Sequence, residues 1–248
     1  MSKRLIKGIE EILEETFKEI DGIYLNQCEG KKPFQPNANS RLIFPRKGWG
    51  IYKGEEHKEN ENEEVEIRVS EQELRFVFVE KFIKRCGDDF PYYFAVETPT
   101  DKRYVFSTGD ETPRLAVRGI PNSKGQQEGT SGNFDITIHD NTGKRVCWIE
   151  FKAGMPDQEE FSKDFLKLKE EAGGMGYFVH LLKAADRGTL KSLLINDGLK
   201  YKKPKLKERG NIIYYCHILP PRDKENNENK YQKLYYTEEE LKRVLDSD

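Results

Sequence analysis

Long hydrophobic runs are missing from this chain of 248 residues, whose mean hydropathy is −0.84. No stretch approaches the ~20 apolar residues that a bilayer-spanning helix requires. The opening is basic at Lys3, Arg4 and Lys7, but Glu10, Glu11, Glu14 and Glu15 interrupt any apolar segment that would serve as a signal peptide. Cysteine is scarce as well. Cys28, Cys86, Cys147 and Cys216 form no CxxC pair, and Cys86 and Cys147 fall in apolar segments. They read as reduced, buried thiols of a cytoplasmic protein. The 4 histidines, His57, His139, His180 and His217, are scattered without helical pairing, which argues against zinc. His139, close to a turn, reads as a surface residue more than a base. Neither a Gly-x-Ser-x-Gly elbow nor a phosphate-binding Gly loop ending in Lys-Ser/Thr occurs, so serine hydrolase and nucleotide triphosphatase chemistry lose support. An excess of charge of one sign is also lacking. The net charge is −2, without the global basic signature of a nucleic-acid binder. Lys200, Lys202, Lys203, Lys205, Lys207 and Arg209 do form a basic run with Tyr201 available for stacking, and a solvated loop stiffened by Pro204 explains it equally well.

What is present is a succession of short periodic segments. Residues 3–20 carry Leu5, Ile9, Ile12, Thr16 and Ile20 on one helical stripe. Packing on a core is the ordinary reading of that helix; a lid or self-association into a homo-oligomer are the alternatives. With the Pro- and Gly-punctuated stretch that follows and the polar segment 55–64, it makes an appendage over 1–64. A core is expected over 65–219, and a linker with a short helix capped at Thr237 over 220–248. Within the core, Ser70 and Glu73 form a capping box that opens a helix reaching about Cys86. Residues 91–97 and 103–106 read as two strands around a turn at Thr98, Pro99, Thr100 and Asp101. A helix carrying Phe161, Phe165, Leu168 and Ala172 follows Pro156, and 176–182 is an apolar run suited to an interior strand. A helix over 185–195 and a strand over 212–219 complete the order. The polar, Gly-containing stretch 107–132 is long for a compact domain. It is expected to border a groove, with Arg114, Arg118 and Lys124 as phosphate contacts.

Between these elements lie two apolar runs, 134–139 and 146–152, joined by Asp140, Asn141, Thr142 and Gly143. This is a hairpin pattern. Alternation along a strand puts Glu150 and Lys152 on one face with Val146 and Trp148. It sets Asp135 with Thr137 and His139, opposite Phe134, Ile136 and Ile138. If the loop closes with Asp140 opposite Arg145, Asp135 pairs with Glu150; if His139 closes on Lys144, the two acids are diagonal. In both registers their Cβ atoms are roughly 4.5 to 8 Å apart. A slip of one residue would separate them. Two like charges at that distance call for a cation, and hard oxygen ligands suit Mg²⁺, with Mn²⁺ as a substitute. Lys152 would orient or help deprotonate a water, or neutralise developing charge. The rival explanation is a half-exposed hairpin carrying ordinary solvated charges.

Asp135, a spacer of about a dozen residues, and then Glu150, Phe151 and Lys152 resemble the PD-(D/E)XK nuclease superfamily, the restriction-endonuclease-like group. Phe134 stands where the eponymous proline would be. The resemblance covers about half the chain, from Ser70 to near Gly173. It implies an α/β fold with a central mixed sheet flanked by helices, Asp135 and Glu150 as metal ligands, Lys152 as a catalytic residue, and cleavage of nucleic acid, DNA first. The group often draws one more acid from its first helix. Glu71, lying between Phe78 and Phe82 in the helical projection, suits that role, and an acid complementing the helix dipole is its plain alternative. Glu73 is explained as a cap, and Glu97 is a lesser candidate that could simply flank the turn. A binding module that retains the fold without cleaving, and a nuclease acting on RNA, are the competing functions.

Overall fold

The computed structural model describes residues 3–28, 42–45, 67–105, 114–116, 129–154, 158–171, 175–182, 212–220 and 233–236. The basic run at 200–209, the polar segment 55–64, the helix expected over 185–195, the C-terminal cap at Thr237, and Arg118 and Lys124 lie outside them.

Ser70 starts the first core helix as the capping pattern predicts: its backbone N–H donates to the Glu73 carboxylate at 2.8 Å, and α2 runs Glu71–Arg85. Ahead of it, α1 (Lys3–Cys28) is longer than the predicted stripe. Leu5, Ile9, Ile12, Leu13, Phe17 and Ile20 are buried in one continuous core with Phe78 and Phe82 of α2. Packing on the core is therefore what this helix does. Gly8 permits the close seating of α1, because a Cβ there would come within 2.2 Å of the Phe90 ring. Glu19 pairs with Lys81, and Glu11 with Arg85 at 3.4 Å, tying α1 to α2.

The strands are β1 (Tyr93–Val105), β2 (Arg114–Leu115), β3 (Thr130–His139), β4 (Arg145–Ala153), β5 (Met175–Leu182), β6 (Ile212–Ile218) and β7 (Lys233–Tyr236), with α3 (Gln158–Glu170) between β4 and β5. Among the described residues they form one seven-stranded sheet in the order β2-β1-β3-β4-β5-β6-β7. Pairing is parallel from β4 through β5 to β6 and antiparallel elsewhere. This is a mixed sheet flanked by helices, an α/β architecture. The seven interior residues of β5 are buried, which accounts for its unbroken apolar sequence.

Three expectations are corrected. The two strands predicted over 91–97 and 103–106 are one strand, because the segment at Thr98, Pro99, Thr100 and Asp101 is absorbed as an irregularity between Pro99 and Arg103 and does not reverse the chain. Thr130 to Gly132 belongs to β3 and not to the preceding loop, while Arg114 lies in the short edge strand β2. Cys86 is exposed; it follows the last turn of α2, beyond the buried stripe of that helix. Cys147 and Cys216 are buried free thiols. Among the described residues no helix is long and apolar enough to cross a membrane.

Candidate active site

The hairpin register is the one that brings the two acids together. Ile136 pairs with Ile149, Thr137 with Trp148 and Ile138 with Cys147, so Asp135 and Glu150 are the residues next beyond the last pair of the ladder. A bulge near the turn then places His139 opposite Arg145. His139 braces that turn, its ring nitrogens 3.1 Å from the Gly143 carbonyl and 3.0 Å from the Thr137 hydroxyl, in keeping with its plain reading.

Asp135 stands where the strands part. The backbone N–H of Phe151, the next donor along β4 toward β3, donates to the Asp135 carboxylate at 2.7 Å. On the adjoining strand Glu97 has a positive φ of 48°, uncommon for a residue with a side chain. The alternation of β3 changes here. Ile136 and Ile138 join the core beneath α2, but the Phe134 ring lies 6.5 Å from Trp148 with the Lys167 ammonium 5.6 Å away. The expected single face of Phe134, Ile136 and Ile138 does not form, because regular pairing is interrupted at Asp135, opposite Glu97 with its positive φ on β1 and beyond the last β4 pair.

Alternation along β4 holds. Phe151 packs against Phe78 of α2 with ring centroids 5.3 Å apart, and Glu150 meets α3 from the other side of the sheet. Glu150 is 3% exposed. The Lys167 ammonium lies 2.5 Å from its Oε1. Lys167 also lies 2.8 Å from Asp164 Oδ1 and donates to the Asn133 carbonyl at 2.7 Å. Lys152, beyond Glu150, reaches across both helices: its ammonium is 2.9 Å from Asp164 Oδ2 of α3 and 3.3 Å from Glu71 Oε1 of α2. Arg75, one turn after Glu71, lies 3.5 Å from Asp135 Oδ1 and pairs with Glu97. After Lys152 the chain is pinned at Gly154, whose N–H donates to Leu181 and whose carbonyl accepts from buried His180 at 2.6 Å.

Burial governs the electrostatics. It pushes Glu150 well above the usual carboxylate range, with Asp164 and Asp135 adding to the rise against the opposing Lys167. Asp135 is raised by burial against the Phe151 N–H and Arg75, and Glu71 by burial against Lys152. Burial would lower both lysines. The carboxylates reverse that, so Lys152 (through Asp164 and Glu71) and Lys167 (through Glu150 and Asp164) lie above the ordinary lysine value.

Against protein-family models, curated proteins and solved structures, the chain gives no match.

The sequence-predicted residues Asp135, Glu150, Lys152 and Glu71 thus belong to one charged cluster, with Glu71 linked through Lys152. Arg75, Asp164 and Lys167 are the members that sequence reasoning missed. Each carried a signal: Arg75 follows Glu71 by four residues on the face leading to Phe78, and Asp164 and Lys167 adjoin Phe165 and Leu168 on the apolar stripe of α3. Whether the cluster suits a divalent ion is a question of donors and charge. Among the described residues no three His, Cys, Asp or Glu side chains are grouped as a ready metal cage. The donor set is nonetheless of hard oxygens, and five carboxylates (Glu71, Glu97, Asp135, Glu150, Asp164) face three cations (Arg75, Lys152, Lys167). The formal surplus is two negative charges, which burial offsets in part by raising Glu150, Asp135 and Glu71, and the oxygen donors are of the kind that Mg²⁺ takes.

Proposed function

We propose that this protein is a metal-dependent nuclease of the PD-(D/E)XK type, hydrolysing phosphodiester bonds in DNA. One observation carries the reading: Asp135 and Glu150, on adjacent strands and near enough for Asp135 to raise Glu150, belong to one buried charged cluster with Lys152. Asp135 and Glu150 would hold Mg²⁺, with Mn²⁺ as a substitute, and Glu71 would support the site through Lys152. A divalent ion bound there supplies charge stabilisation for the phosphate and a more acidic water. Lys152, held charged by Asp164 and Glu71, has no free electron pair to take a proton at neutral pH. Its part is to orient the attacking water and to neutralise charge on the phosphate oxygens. Asp135 keeps the Phe151 N–H bond and so fixes where β3 and β4 diverge.

A second reading, a nucleic-acid-binding or protein-binding module that does not cleave, is favoured by the lysine or arginine already set against each carboxylate. Incubating the purified full chain with plasmid, single-stranded DNA and RNA, in Mg²⁺, Mn²⁺ or chelator, separates the two. Metal-dependent cleavage of DNA is expected, and Lys152→Ala, folded by circular dichroism, is expected to lose about 10²-fold or more in rate. Persistence of cleavage in chelator, or full activity in Lys152→Ala, would overturn the proposal; a preference for RNA would change the substrate and leave the chemistry.

A further inference from the structure

Three oxygens from three elements converge on the Lys167 ammonium: Glu150 Oε1 of β4 at 2.5 Å, Asp164 Oδ1 of α3 at 2.8 Å and the Asn133 carbonyl of β3 at 2.7 Å. The side chain is buried, and the Phe134 ring covers the ammonium. Oxygens gathered in this way from separate elements form a cation seat, and here the cation is part of the chain. The seat includes Glu150, which is buried and whose Oε1 is in contact with the ammonium. Asp164 differs from Glu150 in spanning both lysines, with Oδ1 on Lys167 and Oδ2 on Lys152. It therefore offers Lys167 a second anchor when Glu150 is engaged elsewhere.

We propose that Lys167 is a tethered counter-cation that occupies the divalent-ion position beside Glu150, and that metal binding requires its ammonium to give up Glu150 while remaining on Asp164. The inference rests on the nuclease reading above, in which Glu150 is a metal ligand. Lys167 is then a positioning residue: it keeps a buried carboxylate in place without metal, and it competes with the metal for it. Burying Glu150 without any cation would be costly. Lys167 meets that need and so lowers the apparent affinity for the ion.

The test titrates Mn²⁺ alone into chelator-treated full chain, reading bound ion by electron paramagnetic resonance and calorimetry. Lys167→Met is expected to bind Mn²⁺ about tenfold tighter than the parent or more, since a competing charge at contact distance is removed. Lys152→Met removes the same charge from the other side of Asp164 and is expected to gain clearly less. Should both variants gain equally, only net charge matters and the inference fails; it fails too if Lys167→Met binds no tighter than the parent. If Lys167→Met does not fold, Lys167→Gln takes its place. Lys167→Arg, which keeps the charge, must bind no tighter than the parent. Parent binding that ignores position 167 sinks this inference and leaves the nuclease reading standing. Folded parent and variants that all fail to bind Mn²⁺ would remove both.

Discussion

At the scale of single residues, His180 provides the clearest titration. Its Nε2 faces the Gly154 carbonyl and its Nδ1 the Tyr214 hydroxyl, each at 2.6 Å. A carbonyl only accepts, so the proton is on Nε2 and the neutral ring takes the Tyr214 proton at Nδ1. Burial, with the Lys152 ammonium assisting and the Gly154 carbonyl opposing, holds the ring down to about 4. Below the ordinary value of 6.5 the unfolded chain binds a proton that the folded one refuses, so stability falls as pH drops from about 6.5 to about 4. The loss should approach roughly 3 kcal/mol. Denaturant melts of the parent and His180→Gln across that range are expected to converge toward pH 4; parallel curves would deny His180 this part. The same scale explains what could be read in advance. That Asp135 and Glu150 occupy neighbouring positions of adjacent strands was legible because a strand repeats every two residues and few registers suit the hairpin. Asp164 and Lys167 were not, because polar side chains beside Phe165 and Leu168 look like the margin of a solvated helix until an oppositely charged strand is placed beneath them.

Elements obey two competing influences, and α1 shows which prevails. Alanine is the better helix former by about 1 kcal/mol, so propensity alone favours Gly8→Ala. The Phe90 ring, 2.2 Å from the added carbon, opposes it. Overpacking of this kind costs about 1–3 kcal/mol, so net destabilisation is expected, visible as a lowered thermal midpoint. A raised midpoint would show that α1 shifts away from Phe90 at little cost. Capping and periodicity located α2, α3 and β5 within a few residues. They did not locate β7, a four-residue edge strand with too few positions to display alternation. Nor did they foresee the continuity of β1. Pro99 and its neighbours have turn chemistry, and only pairing with β3 on the finished sheet overrides it.

For the whole molecule, the decisive fact is that α1, α2 and the sheet share one core. Among the described residues the hydrophobic side chains of α1 and those of α2, Phe78 and Phe82 among them, belong to one cluster, and half-buried Lys81 and Glu19 join the two helices. Helix content by far-ultraviolet circular dichroism and tryptophan fluorescence should accordingly report a single coincident unfolding transition. An earlier loss of helical signal would mark α1 as a unit that melts by itself. Tertiary arrangement of this kind is the part least visible in a linear chain. A stripe such as Leu5, Ile9 and Ile12 announces that a helix buries one side, and is silent about which partner covers it.

Asp164 has one oxygen on each of two lysines. Lys152 and Lys167 are therefore neighbours in energy although they come from different layers, and replacing one alters the grip of the other. Effects measured singly at the two positions will not sum to that of the double replacement. A mutant survey that scored each lysine alone would assign part of the same interaction twice, and only a cycle of all four combinations would divide it correctly.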